Sequence, residues 1–408
     1  MKIAIFHNLS SGGAKRSLYE IVKRLYSRHK INVYSLSSAD HEFCDIRPFV
    51  ETYRVYPFQA EKLFKSPFGR LNSITRAFDL VRLRRINEII SNEIKNDKPD
   101  LIFVEPCRFE NAPSVLRFIS DYPNVYYCHE PFRILYEDIP PRPYNNNRSK
   151  FREALDQFDP FLNYFRNYAR NNDQLNIQKA RRVFVNSVYT KQQVEKIYKI
   201  NAEVNYLGVD TIKFQPLQAV NKSNFVLSVG SLTPLKGFDF IIRSIAMITP
   251  ADQPALIIAS NFSNAQEYDY LKDLANQNHI NIQFLIGITD EKLVELYNSA
   301  LLTAYTPHRE PFGLVALESM ACATPVVGVK EGGLLETIQD KFNGHLTPRD
   351  EKIFSMALLE LIKNPQMAHE YGKNGYHEVL TKWNWDSSVQ NIEQNLLNIT
   401  KSIPENLS

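Results

Sequence analysis

The sequence predicts an α/β protein of two domains, each built on a parallel sheet, and three observations carry that prediction. Its 408 residues exceed what one compact core accommodates and suit two domains of roughly 200 residues each. Short apolar, β-branched runs alternate along the chain with amphipathic helical stretches, as strand–helix–strand units do. Glycine loops follow two of the apolar runs, at residues 8–13 and 230–237, where a parallel sheet presents its carboxyl edge.

In the first domain, residues 2–7 read as a buried strand, 8–13 as a glycine loop, and 14–25 as a helix turning Leu18, Ile21, Val22 and Leu25 inward. Gly12 and Gly13 then stand at a helix N-terminus facing the cleft, although a tight structural turn uses the same glycines. Their spacing is not GxGxxG, which disfavours a dinucleotide-dependent dehydrogenase. Residues 31–36 and 101–104 are further strands. Between them, residues 66–95 form a basic helical region with Arg70, Arg76, Arg82, Arg84 and Arg85 among apolar positions. A solvated arginine face on a core-packed helix is the commoner origin of that pattern, and a membrane-surface helix is the other. The strand 125–128 ends in His129, Glu130 and Pro131, placing a histidine where α/β enzymes keep working side chains; a lone histidine is otherwise more often structural. Residues 138–175 are irregular, a loop followed by an aromatic helix at 159–170, with Phe151, Phe158, Phe161, Tyr164, Phe165 and Tyr168 in the segment. A strand at 183–185, a helix opened by Ser187 or Thr190, and a linker at 216–224 complete this half.

The second domain starts with the strand 225–229 and the loop from Gly230 to Gly237. An ammonium at Lys236 on a glycine-flanked loop suits a diphosphate, though most such lysines are simply solvated. Strands at 255–259 and 282–287, a capped helix at 289–296 and a strand at 301–305 lead to residues 307–333, PHREPFGLVALESMACATPVVGVKEGG. There Glu310 and Glu318 flank a break at Pro311, Phe312 and Gly313 before a helix at 314–323. Pro311 suits a first helical turn, and Gly313 lets a ligand approach amides that point at an anion. The two carboxylates are placed to hold different parts of one molecule with its phosphates between them. No His or Asp stands at metal-ligand intervals. Thr324 to Val329 read as turn and buried strand before Gly332 and Gly333. A final helix at 386–397 follows Trp383, Asn384 and Trp385, and the tail from 401 frays.

The net charge of +3 hides an asymmetry of +9 over residues 1–210 and −6 over the rest. The basic half should attract an anionic surface or acceptor, less so in salt. Nucleic acid is disfavoured, because no dense Lys/Arg run or binding signature is present. Cys44, Cys107, Cys128 and Cys322 are too scattered for a disulfide framework or zinc ribbon, which is consistent with a reducing cytosol. The N-terminus reads as a strand rather than a signal peptide. N-x-S/T matches, among them Asn8, Asn221, Asn261, Asn398 and Asn406, are therefore discounted as glycosylation sites. No apolar run is long enough to span a membrane, so any membrane contact is expected to be peripheral.

Residues 307–336 and 225–237, with NSVYT (186–190) and YLGVDTIKF (206–214), resemble glycosyltransferase family 4, retaining enzymes of the GT-B fold that include bacterial group 1 glycosyltransferases. The resemblance implies two Rossmann-like domains facing a cleft, at 1–216 and 225–383, and a helix at 384–408 crossing back onto the first. It implies a nucleotide-sugar donor, a saccharide or lipid-linked acceptor, and no cofactor or metal. Carried over, His129, Lys236 and Glu310 are the catalytic candidates. Gly12, Gly13, Gly230, Ser231, Ile286, Phe312, Gly313, Leu314 and Glu318 join Lys236 and Glu310 around the donor, with Glu318 on the ribose. Two departures stand out: Ser231 where the family commonly carries arginine, and Ser260 where it commonly carries glycine. Either Arg309, Arg243 or a helix N-terminus then supplies the second phosphate contact, or turnover is reduced. The alternatives are a sugar-nucleotide-binding scaffold without turnover and an epimerase on the same fold.

Overall fold

The computed structural model describes residues 1–60, 72–145, 160–218 and 220–401. The start of the basic helical region at 66–71, Phe151, Phe158, Asp159 and the tail from 402 lie outside them.

Two all-parallel sheets organise the chain. The first runs β3-β2-β1-β4-β5-β6-β7, from β1 (Lys2–Asn8), β2 (Lys30–Leu36), β3 (Thr52–Tyr56), β4 (Leu101–Cys107), β5 (Asn124–Cys128), β6 (Arg182–Val185) and β7 (Glu203–Val204). The second runs β10-β9-β8-β11-β12-β13, from β8 (Phe225–Val229), β9 (Ala255–Ser260), β10 (Ile282–Ile286), β11 (Leu302–Tyr305), β12 (Val326–Val329) and β13 (Gly344–Thr347). Their winding reverses beside β1 and beside β8, which opens a crevice at the carboxyl ends of β1/β4 and β8/β11. The central strands β1, β4, β8 and β11 are buried along almost their whole length because helices cover both faces of a parallel sheet. This is the GT-B architecture expected above.

Local chemistry sets the helix starts. Ser187 accepts from the Thr190 amide, Thr289 from Lys292 and Asp350 from Ile353, each satisfying an orphan donor. The helix Gly13–Leu25 buries Leu18, Ile21, Val22 and Leu25 as expected. Helix Asn72–Asn96 buries Leu80, Leu83, Ile90 and Ile94 but leaves Phe78 65% and Ile89 56% exposed.

Some boundaries differ from the sequence reading. The aromatic helix spans Pro160–Ile177 rather than stopping at 170, because Asp173 accepts hydrogen bonds from the Tyr198 and Tyr136 hydroxyls at 2.7 and 3.1 Å. Those contacts hold a polar NNDQLN stretch helical that locally reads as loop. β4 continues past Val104 through Glu105 to Cys107.

After β13, the chain forms helices Glu351–Lys363 and Pro365–Thr381 and then crosses back. The last helix, Trp385–Lys401, buries Trp385, Val389, Ile392, Leu396 and Ile399 against the first domain, with Arg28 and His29 each 2.7 Å from Glu393. The outgoing and returning segments touch: the Val209 amide donates to the Trp383 carbonyl at 2.8 Å. Gly208 makes this approach possible, since a Cβ there would lie 2.4 Å from the Trp385 nitrogen and 2.5 Å from the Asn384 carbonyl carbon. Gly208→Ala is expected to destabilise the protein by about 2 kcal/mol, the usual cost of overpacking a site that cannot yield. Chemical denaturation should show this as a lower midpoint at unchanged slope.

Candidate active site

β8 and β11 are neighbours, and their loops meet at the crevice. After β8, Gly230 and Ser231 lead into the single turn Pro234–Lys236. After β11, the chain passes Thr306 and Glu310 to Gly313. The Leu235 carbonyl accepts from the His308 amide at 2.8 Å, tying the loops together. Lys236 Nζ lies 2.9 Å from Glu310 Oε2. Burial works to raise the Glu310 pKa, but Lys236, the Tyr305 hydroxyl and nearby Arg133 hold the carboxyl below the usual carboxylate range. Glu310 is therefore an anion set against a cation, with both side chains partly exposed at 15% and 24%.

Gly313 takes the left-handed conformation, φ 101°, immediately before the helix Leu314–Ala321, and no side chain caps that helix. This conformation postpones the helix start. Pro311 consequently lies ahead of the first turn rather than in it, and its carbonyl accepts from Ser187 Oγ of the first domain at 2.6 Å. Glu318 is 7% exposed and accepts from the Tyr297 hydroxyl at 3.0 Å. Burial pushes its pKa up, with Arg16 and the Tyr297 bond opposing. The Phe312 ring is buried against Trp383 and Tyr206, centroids 5.6 and 6.1 Å away, which leaves its backbone to serve the loop. Ile286 ends β10 and is 43% exposed.

On the first-domain side, His129 follows β5, packs on Tyr127 with ring centroids 4.6 Å apart and tilted by 30°, and places Nε2 2.8 Å from Glu105 Oε2. Glu105 is wholly buried, and burial raises its pKa against the pull of His129 and Lys15. Lys15 is also wholly buried, and burial lowers its pKa. Neither the Lys15 ammonium nor Glu105 Oε1 makes a hydrogen bond among the described residues. Gly12 and Gly13 border the same edge, and a Cβ on Gly13 would stand 3.4 Å from Leu314 Cδ1 of the second domain.

Arginines of the first domain close the crevice onto the second. Arg16 pairs with both oxygens of Asp290, at 2.9 and 3.3 Å, and its guanidinium lies 5.6 Å from the Phe43 ring centroid and 5.9 Å from that of Phe214. Lys213 reaches the same carboxylate at 2.6 Å. Despite burial, these cations hold Asp290 down at about 2. Arg133 donates to the His308 carbonyl at 2.6 Å. In the opposite direction, Glu336 accepts from the Val188 and Tyr189 amides, both at 2.9 Å, at a helix N-terminus of the first domain.

Sequence reasoning missed Lys15, Arg16, Glu105, Arg133 and Glu336. Glu105 carried a usable signal, since it closes the apolar run 101–104 just as His129 closes 125–128. Arg243, one expected substitute for an arginine at 231, is taken by Asp239 and Glu351 at 2.6 and 2.5 Å. Arg309 is exposed at the cleft loop. Among the described residues, no group of three His, Cys, Asp or Glu is placed to hold a metal ion.

Two family models match in succession. One, Glycosyltransferase Family 4, covers residues 11–213, and the other, Glycosyl transferases group 1, covers residues 209–378. The chain belongs to glycosyltransferase family 4. An uncharacterized glycosyltransferase of Methanocaldococcus jannaschii is 30% identical over 203 residues, 49% of this chain and 50% of that protein. The α-1,3/1,6-mannosyltransferase of Mus musculus is 28% identical over 53% of this chain and 58% of that protein. The chain thus spans little more than half the length of these two relatives. The corresponding mannosyltransferase of Schizosaccharomyces pombe is 24% identical over 99% of this chain and 82% of that protein. Among solved structures, sucrose-phosphate synthase from Thermosynechococcus elongatus superposes with a TM-score of 0.73 at 20% identity, covering 98% of this chain and 100% of that one. Anabaena HepE in complex with UDP-glucose superposes at 0.68 and 20% identity, covering 98% of this chain and 100% of that one, and both likenesses show the fold.

The Arg16–Asp290 contact is a partly exposed ion pair and is worth about 1 kcal/mol. Asp290→Ala is accordingly expected to speed amide exchange about five-fold in residues 13–16 and 287–292, with the strands unaffected. Hydrogen–deuterium exchange measures this directly.

Proposed function

We propose that this family 4 protein is a retaining, metal-independent hexosyltransferase. It takes a nucleotide-sugar donor on its second domain and transfers the sugar to a saccharide or lipid-linked acceptor held by the first. One observation carries the reading: at the winding reversal beside β8 the Lys236–Glu310 pair joins the loops after β8 and β11, and the helix that follows carries buried Glu318. In this reading the Lys236 ammonium and the amides after Gly313 stabilise the departing diphosphate as its charge grows. Glu310, kept ionised by its neighbours, orients sugar hydroxyls, and Glu318 holds the ribose. His129, with Nε2 engaged by Glu105, keeps Nδ1 for the sugar. The acceptor enters past Gly12 and Gly13, on the same face from which the diphosphate leaves, and the leaving phosphate accepts the acceptor's proton. Closure of the Gly13 loop on Leu314 limits water as a competing acceptor. Relatives named mannosyltransferases and a neighbour solved with UDP-glucose support a hexose donor.

No helix among the described residues is long and apolar enough to cross a membrane. An anionic membrane surface remains our reading of the partner for the basic half, with activity at the cytoplasmic face. Exposed Phe78, Phe161 and Tyr164, 65%, 48% and 63% accessible, support it.

Thermal stabilisation by a panel of UDP- and GDP-sugars is expected to pick out one donor and to disappear in Glu318→Ala. No shift with any of them would overturn the reading and favour the scaffold alternative, whose support is Ser231 and the engagement of Arg243 elsewhere. Ser231→Arg separates these two: an enzyme short of one phosphate cation gains turnover, whereas a scaffold stays inactive. Turnover is expected to survive chelator treatment, and the product anomer, read by NMR, to keep the donor's configuration.

A further inference from the structure

Beyond the cleft, a third arginine of the first domain reaches the second by a separate route. The segment 137–145 leaves the short helix Arg133–Tyr136 and carries Arg142 onto the helices that follow β8 and β9. Arg142 is 3% exposed. Its Nε lies 3.1 and 3.0 Å from the two Glu267 oxygens, and Nη2 lies 3.0 Å from Glu267 Oε1. Nη2 and Nη1 reach Asp239 at 3.0 and 3.3 Å. Nη2 also donates to the Pro234 carbonyl at 3.3 Å, at the first residue of the turn that presents Lys236. Glu267 is wholly buried, and its remaining bond comes from the Tyr144 hydroxyl of the same segment at 2.6 Å.

We propose that Arg142 is a positioning residue for the diphosphate-binding turn, so that phosphate binding on the second domain depends on a side chain of the first. The proposal rests on the reading of Lys236 as the diphosphate cation. A guanidinium fixed by two carboxylates cannot drift, so the bond it gives Pro234 holds one end of a single turn whose other end is Lys236. The Leu235 carbonyl, which accepts from the His308 amide, gives the turn a second tether. An ammonium would neutralise the same carboxylates without spanning all three acceptors.

The test is the affinity of the full chain for UDP and GDP, each set against UMP and GMP, measured by calorimetry. The variants are Arg142→Lys, Arg142→Met/Glu267→Gln, Lys236→Met and their combinations. The double variant leaves no buried charge unpaired, because Asp239 keeps Arg243 at 2.6 Å. Both Arg142 variants are expected to lower diphosphate affinity about ten-fold, the worth of one charge-assisted hydrogen bond, while monophosphate affinity holds. Added to Lys236→Met, they should cause no further loss, since both act through one ammonium. Unchanged diphosphate affinity, equal losses for mono- and diphosphates, or additive losses would each overturn the proposal and leave Arg142 a staple between domains. If Lys236→Met itself leaves diphosphate affinity intact, or if neither nucleotide binds wild type, the underlying reading fails and the proposal goes with it. Should the double variant not fold, Arg142→Lys carries the same comparison.

Discussion

The reversal of winding beside the first strand of each sheet is the constraint on which the cleft depends. Crossovers in parallel sheets are right-handed, so helices on either side of the reversal cover opposite faces and part at the strand ends. At β8/β11 that gap receives the loops bearing Lys236 and Glu310, and at β1/β4 it receives the Gly12–Gly13 loop and Glu105. An ammonium and a carboxylate 2.9 Å apart in a partly desolvated crevice interact more strongly than they would in water, which explains why Glu310 stays ionised despite burial.

Charge contributes to the docking between domains, beside apolar contacts such as Phe312 on Tyr206. Arg16, Lys213, Arg133 and Arg142 of the first half meet Asp290, the His308 carbonyl, Asp239 and Glu267 of the second. Part of the asymmetry between a basic half and an acidic half is thus internal complementarity. Basic residues also remain on the exposed face of helix Asn72–Asn96, where Arg76, Arg84 and Arg85 face solvent.

The sheets were legible because strands buried on both faces read as unbroken apolar runs, and the candidate site of the second domain could be read locally because Glu310, Gly313 and Glu318 lie within nine residues. What escaped was non-local. Nothing near Lys15, Glu105 or Arg133 in the sequence says which groups they meet. The continuation of helix Pro160–Ile177 depends on Tyr136 and Tyr198, residues distant in the chain. The short strand Thr52–Tyr56 also passed unread, since it lies at the sheet edge, pairs with β2 alone and has half-exposed side chains.

The returning helix has a consequence for the order in which the protein is made. Val389, Ile392 and Leu396 complete the packing of helix Gly13–Leu25, yet they leave the ribosome after the whole of the second domain. Residues 225–383 are contiguous and carry all six strands of their sheet, so this later-made half has its full complement first. The earlier-made half waits with an apolar stripe uncovered through the synthesis of more than 150 residues between Phe225 and Trp385, the interval in which chaperone binding or misassembly competes with closure.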